Sequence, residues 1–130
     1  MTARPAPDAR CPCLSGSTIG DCCGPVLDGA TAAPTAERLM RSRFTAFAVG
    51  DEGHLLRSWH PSTRPASLDL DPGVRWYRLD VLRTERGGPF DQEGLVEFVA
   101  HHRGPEGAGQ QHGESRFRRE RGAWLYVDEA

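Results

Sequence analysis

The chain has 130 residues, enough for one compact domain with a small appended module but not for two full hydrophobic cores. Its apolar fraction of 38% and charged fraction of 26% are typical of a globular protein and exclude a fibrous or largely disordered one. The formal net charge of −2 provides no overall attraction to nucleic acid or to an anionic membrane, which argues against both as partners.

The sequence contains no recognisable membrane span or export signal. No apolar run reaches the roughly 18 residues that a membrane-spanning helix needs. The first ten residues are not followed by the apolar stretch of a secretory signal. We therefore expect a cytoplasmic protein, in a reducing compartment where closely spaced cysteines bind a metal more often than they form disulfides.

The N-terminal quarter of the chain divides by composition into three segments. Residues 1–10 are polar and rich in proline and alanine, which predicts a disordered tail. Residues 11–25 hold every cysteine and too few apolar side chains to fold without a cross-link or a metal. Residues 26–34 end in Ala-Ala-Pro and predict a linker to the main domain, residues 35–130.

Two helices are predicted at the start of the main domain. Thr35 is a suitable N-cap, and apolar residues then recur at three- and four-residue steps up to the stop at Gly50. Asp51 caps a second, shorter helix that ends before Pro61.

The hydrophobic period then changes to two, which is typical of strands. Strands are predicted over residues 76–82, 95–102, 114–121 and 124–127. In the first of them Tyr77, Leu79 and Val81 share one face, and residues 104–113 are predicted to be a polar turn. Two helices followed by about four antiparallel strands indicate an α+β fold.

The spacing of the cysteines predicts a metal site. Cys11 and Cys13 are separated from the adjacent Cys22 and Cys23 by eight residues, and the serines and glycines between them allow a sharp reversal of the backbone. Four thiolates suit a tetrahedral zinc ion, while disulfides, free thiols and iron–sulfur ligation are the alternatives. With all four positions filled by protein, such a zinc is structural rather than catalytic.

The cysteine segment resembles a known zinc motif. Residues 11–13 (CPC), 15–16 (SG) and 22–25 (CCGP) are similar to the SEC-C motif, the zinc-binding tail of the SecA translocase, whose fourth ligand is often histidine where this chain has Cys23. Because the SecA tail contacts the chaperone SecB, the resemblance implies that this zinc knuckle (residues 11–25) docks a protein partner.

A second resemblance covers nearly the whole chain. Its motifs are AERLMRSRFTAF at 36–47, WHPSTRP at 59–65, VEFVA at 96–100, ESRF at 114–117 and WLYVD at 124–128. They are similar to the YchJ family of uncharacterised bacterial proteins. The resemblance implies a nuclear transport factor 2-like (cystatin-like) core, a curved sheet wrapped around a long helix to form a cone. Many relatives carry a second, C-terminal SEC-C motif that these residues lack, and folds of this class often form homodimers.

The cone implies a candidate pocket. Its polar and aromatic candidates are Arg43, Trp59, His60, Arg64, Trp76 and Glu97. Arg43 and Arg64 would close an anion-binding pocket, and His60 would act as an acid or base. Each has a simpler structural interpretation: the tryptophans fill the core and His60 fixes a loop. Arg43 would pair with a carboxylate chosen from Asp69, Asp71, Glu97 and Glu114.

No catalytic motif is present, since the sequence has no P-loop, dinucleotide-binding glycine fingerprint or nucleophile elbow. The arginines of residues 116–121 would suit phosphates, but a solvated strand is the simpler interpretation. The preferred hypothesis is a zinc-binding adaptor that is not an enzyme. A small-molecule binder or enzyme using the cone pocket is the alternative.

Overall fold

The computed structural model describes residues 4–130 and has an α+β architecture, as predicted. Within these residues three helices precede a four-stranded antiparallel sheet, and a single 3-10 turn at Ile19–Asp21 lies before the first helix. The helices are α1 (Cys23–Leu27), α2 (Ala36–Val49) and α3 (Glu52–Arg57), and the strands are β1 (Arg75–Arg86), β2 (Glu93–Gly104), β3 (Gly107–Glu120) and β4 (Ala123–Glu129). None of the helices in this part of the chain is long and apolar enough to cross a membrane.

Helix α2 lies across the sheet and forms the centre of the fold. The hydroxyl of Thr35 accepts a hydrogen bond from the Arg38 amide at 3.1 Å, and Gly50 ends the helix at a φ of 77°. Met40 and Phe44 on one face of the helix join a core that includes Val96 of β2. Asp51 caps α3 through the His54 amide at 3.0 Å, so the capping residues of both predicted helices are those expected.

The sheet is a simple meander in the order β1-β2-β3-β4, and its strands are longer than predicted. The expected turn at residues 104–113 is mostly strand, because β3 pairs with β2 from Gly107 onward. This pairing satisfies the backbone polar groups, and its only apolar side chain on β3 before residue 114 is the methyl group of Ala108, so the hydrophobic pattern carries no signal of it. The turn itself is reduced to the two residues between Gly104 and Gly107.

Two bulges in β1 reset the alternation of its side chains. Tyr77 and Leu82 are extra residues relative to β2, at the points where the register shifts. Each extra residue reverses the alternation, so Trp76 shares the inner face with Leu79. The prediction that Tyr77 shares a face with Leu79 is therefore wrong: Tyr77 is 36% exposed and Leu79 only 4%.

The chain after α3 runs along the free edge of β4. The His60 amide donates to the Tyr126 carbonyl at 2.7 Å, and the Tyr126 amide donates to the Ser58 carbonyl at 2.8 Å. This pairing covers an edge strand and brings Trp59 against Tyr126, with ring centroids 5.1 Å apart.

The N-terminal segment packs on the rest of the protein from Arg4 onward. Residues 1–3 of the expected disordered tail lie outside the described residues, but residues 4–10 are held by hydrogen bonds. The carbonyls of Pro7 and Ala9 accept from Gly20 and Ile19 at 2.9 and 2.8 Å. The expected linker at 26–34 is also shorter, since its first two residues belong to α1 and are buried.

Candidate metal centre and cone cavity

The four cysteines converge in a buried cluster. Their sulfur atoms all lie within 4.8 Å of one another, and no cysteine is more than 2% exposed. The Cys13 and Cys22 sulfurs are 3.6 Å apart, and those of Cys22 and Cys23 are 3.9 Å apart. Tetrahedral zinc–thiolate bonds of about 2.3 Å place sulfurs roughly 3.8 Å apart, so the cluster fits a metal ion of this kind. None of the four cysteines forms a disulfide within residues 4–130.

A short reversal of the chain and the start of α1 bring the cysteines together. The Cys11 amide donates to the Ser17 carbonyl at 3.0 Å, which closes the loop that carries the first pair. Leu14 and Gly16 turn this loop with φ values of 59° and 98°. The second pair follows the 3-10 turn and enters α1 at Cys23.

Helix α2 supports the cluster through three side chains. Arg41 donates to the Cys13 carbonyl at 3.0 Å, Arg38 donates to the Cys22 carbonyl at 3.3 Å, and Thr45 donates to the Cys23 sulfur at 3.3 Å. Four thiolates around a divalent ion carry a net charge of −2, which two adjacent guanidinium groups offset. The sequence analysis did not assign these three residues to the cysteine cluster. Their spacing of three and four residues places them on one face of α2, and this pattern could have indicated a shared contact.

The proton affinities of the thiols also favour a bound cation. The Cys23 thiol donates hydrogen bonds to the Cys11 and Cys13 sulfurs, and these bonds, followed by burial, raise the pKa of Cys23. The pKa of Cys11 is lowered to about 3, chiefly by hydrogen bonds from Cys13 and Cys23. The opposite directions arise because Cys23 holds its proton as a hydrogen-bond donor while Cys11 accepts. Full deprotonation of such a buried cluster would require a counter-charge of the kind a metal ion supplies.

A second feature is a cavity of about 210 Å³ between α2 and the inner face of the sheet. Its walls are mainly aromatic rings contributed by α2, by the segment after α3 and by three strands: Phe44, Phe47, Trp59, Trp76, Phe98 and Tyr126. Of the six pocket residues predicted from the sequence, Arg43, Trp59 and Trp76 line this cavity.

Arg43 is buried in the cavity wall, with 5% exposure. Its Nη1 donates to the Leu55 carbonyl and to the Ser58 hydroxyl, both at 2.7 Å. The guanidinium carbon lies 4.9 Å from the ring centroid of Trp59 and 4.5 Å from that of Tyr126. Burial lowers the pKa of Arg43 to about 10, so the side chain remains charged at neutral pH.

The ion pair expected for Arg43 is not formed within the described part of the chain. In place of a carboxylate, it contacts a carbonyl, a hydroxyl and two aromatic faces. Alternation in β2 explains why Glu97 is not the partner. Val96 and Phe98 face inward, so Glu97 faces outward and binds Arg83 at 3.0 Å and His112 at 2.6 Å.

The other two predicted pocket residues lie at the edge of the sheet. His60 Nε2 contacts the Glu120 carboxylate, and its Nδ1 lies 2.7 Å from the Ser62 hydroxyl. Arg64 donates to the Trp59 carbonyl at 2.8 Å. Neither residue reaches the cavity, so the structure separates the predicted set into three lining residues and three residues outside.

Sequence reasoning missed a carboxylate in the cavity wall. Glu129 accepts hydrogen bonds from the Ser115 hydroxyl at 2.6 Å and the Tyr126 hydroxyl at 2.9 Å. A register shift makes Val127 an extra residue in β4, and this bulge brings Tyr126 and Glu129 to the same face. The sequence shows no sign of the bulge, because it depends on how β4 pairs with β3.

Comparison with known proteins gives the same fold and the same cysteine motif. Residues 35–129 match a family model described as YchJ, middle NTF2-like domain. A UPF0225 protein of Corynebacterium glutamicum is 54% identical over 117 residues, which cover 90% of this chain and 93% of that protein. A UPF0225 protein of Streptomyces coelicolor is 52% identical over 122 residues, covering 94% and 95%.

Solved structures are similar over most of the chain. The solution structure of RPA3114, a SEC-C motif containing protein from Rhodopseudomonas palustris, has a TM-score of 0.81 and 33% identity, covering 92% of this chain and 96% of that one. The crystal structure of a SEC-C motif containing protein from Psychrobacter arcticus has a TM-score of 0.71 and 26% identity, covering 85% and 71%.

Fold and site together define an NTF2-like protein with an N-terminal SEC-C motif whose cysteines could bind a metal ion. With the family model matched over residues 35–129 and relatives at about half identity, the chain belongs to the YchJ family. The resemblance found in the sequence is thereby confirmed.

Proposed function

We propose that the cysteine cluster binds zinc and that the knuckle it stabilises docks a protein partner in the cytoplasm. Four thiolates are soft ligands that favour zinc over hard ions such as magnesium. The site leaves no open position for a substrate, so the zinc would act as a structural element and the protein as an adaptor.

The packing of the knuckle indicates which surface a partner would contact. Because Thr45 of α2 bonds a cysteine sulfur and Arg41 bonds the knuckle backbone, the knuckle is packed directly against the cone. A partner would therefore recognise a composite surface rather than a module on a flexible tether.

The docking proposal rests on one surface, at the junction of the knuckle and β1. A cleft of about 210 Å³ lies where the knuckle meets the start of β1, lined in part by Arg10, Leu14, Arg75 and Tyr77. A smaller hollow beside it is lined by Arg75, Tyr77 and Arg103. Leu14 is 41% exposed, and Arg103 lies over the Tyr77 ring at 5.6 Å, so apolar and cationic groups alternate across this surface.

The charge of this surface indicates the chemistry of the partner. Arg10, Arg75 and Arg103 form no ion pair with the residues that the structure describes, whereas outer-face arginines such as Arg83 and Arg116 each bind a carboxylate. Three uncompensated guanidinium groups around exposed apolar side chains fit an acidic segment with one apolar side chain for the cleft.

Site-specific photo-crosslinking in living cells tests the proposal. A benzoylphenylalanine at Leu14 should capture a protein whose crosslinked segment is rich in Asp and Glu. The same probe at Phe90, which is 95% exposed and remote from the cleft lining, should not capture it. Mass spectrometry of the crosslinked peptides identifies the segment.

Charge reversal provides the matched control. The pair Arg75→Glu and Arg103→Glu should abolish the crosslink from Leu14, because it inverts the charge of the docking surface. The pair Arg118→Glu and Arg121→Glu makes the same change in net charge at exposed positions outside the cleft and should leave the crosslink intact. Equal capture by both pairs, or a crosslinked segment without acidic residues, would refute the docking proposal.

A further inference from the structure

The cavity inside the cone contains a buried donor without an acceptor. The indole nitrogen of Trp59 is inaccessible to solvent, and within residues 4–130 it is the one fully inaccessible side-chain nitrogen or oxygen that has no hydrogen-bond partner. Buried polar groups in folded proteins are almost always paired, so an orphan donor at a cavity wall indicates an acceptor supplied by a bound molecule.

Arg43 adds further donors at the same place. Both of its hydrogen bonds come from Nη1, and its Nε and Nη2 donate to no atom of the described residues. The guanidinium carbon lies 4.9 Å from the centre of the Trp59 ring, so the two residues that carry unused donors are in contact. A buried cation without a contacting carboxylate favours an anionic acceptor, and a planar carboxylate matches the guanidinium edge.

The remaining walls determine the rest of the ligand. Phe44, Phe47, Trp76 and Phe98 line the cavity with rings, which favours an aromatic body. A dry cavity of about 150 Å³ is known to admit benzene, so about 210 Å³ accommodates one ring and a small substituent. Glu129 also lines the cavity and is itself a carboxylate. Its negative charge disfavours a ligand that carries more than one negative charge, such as phosphate.

We propose that the cone cavity binds a one-ring aromatic carboxylate, whose carboxylate accepts hydrogen bonds from Trp59 Nε1 and Arg43 and whose ring packs among Phe44, Phe47 and Trp76. This site is separate from the docking surface and does not depend on it. The two sites have only Trp76 in common as a lining residue.

Indole resonances in ¹⁵N NMR spectra of the full chain test the site directly. Benzoate is the probe, and benzyl alcohol is its neutral counterpart of similar size. Benzoate should shift the Trp59 indole resonance saturably, while benzyl alcohol should bind at least tenfold more weakly. The Trp124 indole donates to the Pro34 carbonyl away from the cavity and should not respond. Inorganic phosphate should leave all three indole signals in place.

Variants separate binding from stability. Trp59→Phe keeps the ring and removes the donor, and Arg43→Met removes the cation. Each should weaken benzoate at least tenfold, as read from the Trp76 indole. Arg64→Gln removes an equal charge that contacts only the Trp59 carbonyl, and it should bind benzoate as the parent does. If Arg43→Met does not fold, Trp59→Phe and the comparison of benzoate with benzyl alcohol still test the proposal.

Three results would overturn the proposal. One is the absence of any Trp59 indole shift at millimolar benzoate, which would show that the carboxylate does not reach this donor. Another is equal affinity for benzoate and benzyl alcohol, which would exclude recognition of the carboxylate. The third is unchanged benzoate binding in Trp59→Phe.

Discussion

His54 is a buried histidine that must remain neutral in the folded protein. Its Nε2 lies 2.9 Å from the Ser42 hydroxyl, which itself donates to the Leu39 carbonyl, so the imidazole donates and the hydroxyl accepts. This bond joins α3 to α2. Burial lowers the pKa of His54 to about 4, with the positive charges of Arg43 and Arg57 acting in the same direction.

Acid should therefore destabilise the fold through His54. Between pH 6.5 and about 4 the unfolded chain binds a proton on this residue and the folded chain does not, so the free energy of unfolding falls as the pH decreases. The slope approaches about 1.4 kcal/mol per pH unit, and the whole effect is on the order of 3 kcal/mol. Urea unfolding from pH 7 to 5.5 measures it.

Comparison of variants isolates this contribution. His54→Gln should lose the slope, whereas His112→Gln, at an exposed position on the outer face of the sheet, should keep it. Protonation of the cysteine cluster affects all three proteins alike and cancels in the differences. Parallel curves for the parent and His54→Gln would show that another group is responsible.

At the scale of the elements, the contact between α2 and the β1–β2 hairpin leaves almost no room for an added side chain. The Ala36 amide donates to the Gly87 carbonyl at 2.9 Å, where the helix begins. A Cβ added at Gly94 would lie 2.6 Å from the Gly87 Cα and 3.0 Å from the Ala36 Cβ. Three main-chain segments meet here with no room for a side chain.

Gly94→Ala should therefore destabilise the protein by about 2–3 kcal/mol, since backbone atoms must move to admit one methyl group. Gly53→Ala provides the contrast. Gly53 lies inside α3, and a Cβ there would be close only to the flexible end of Arg57, at 2.9 Å, with the Asp51 carboxylate at an ordinary contact distance of 3.6 Å. Alanine favours a helix by up to about 1 kcal/mol over glycine, so that variant should be neutral or stabilised. Denaturant midpoints compare the two, and similar losses at both sites would contradict the packing argument.

The features of these elements that the sequence predicts are those set by interactions between residues close together in the chain. The caps at Thr35 and Asp51 act over three residues, so the helices were predictable from local pattern. The cysteine cluster was predictable from spacing alone. The bulges at Tyr77 and Val127 arise from pairing between strands, so a single strand gives no sign of them.

The same distinction applies to the cavity. The family resemblance indicated its aromatic and cationic side, including Arg43 and Trp59, but alternation excluded Glu97. The carboxylate at Glu129 could not be predicted, because it reaches the cavity only through a bulge. A buried arginine satisfied by a carbonyl, a hydroxyl and two rings also contradicted the expectation of an ion pair, which rested on charge alone.

For the whole molecule, the knuckle and the cone share one interior. The buried core is continuous from Cys11 and Ile19 to Phe44 and Phe98. Two guanidinium groups of α2 bind carbonyls of the knuckle, so the cone would balance the charge of the proposed zinc–thiolate centre. The segment that carries the cysteine cluster is thereby built into the structure that surrounds the cavity.

Removal of the metal should consequently weaken the entire protein and not the knuckle alone. Native mass spectrometry should find one zinc ion per chain, and a chelator that removes it should lower the free energy of unfolding by on the order of 3 kcal/mol, or roughly 10 °C in Tm. Amide resonances of Arg41 and Thr45 should shift, because these side chains contact the knuckle. Cys13→Ser should reproduce the loss without a chelator, and Ser17→Ala in the same loop should retain zinc. If chelation changes only residues 4–27 and leaves the unfolding of the cone unaltered, the two parts are independent and the composite docking surface loses its physical basis.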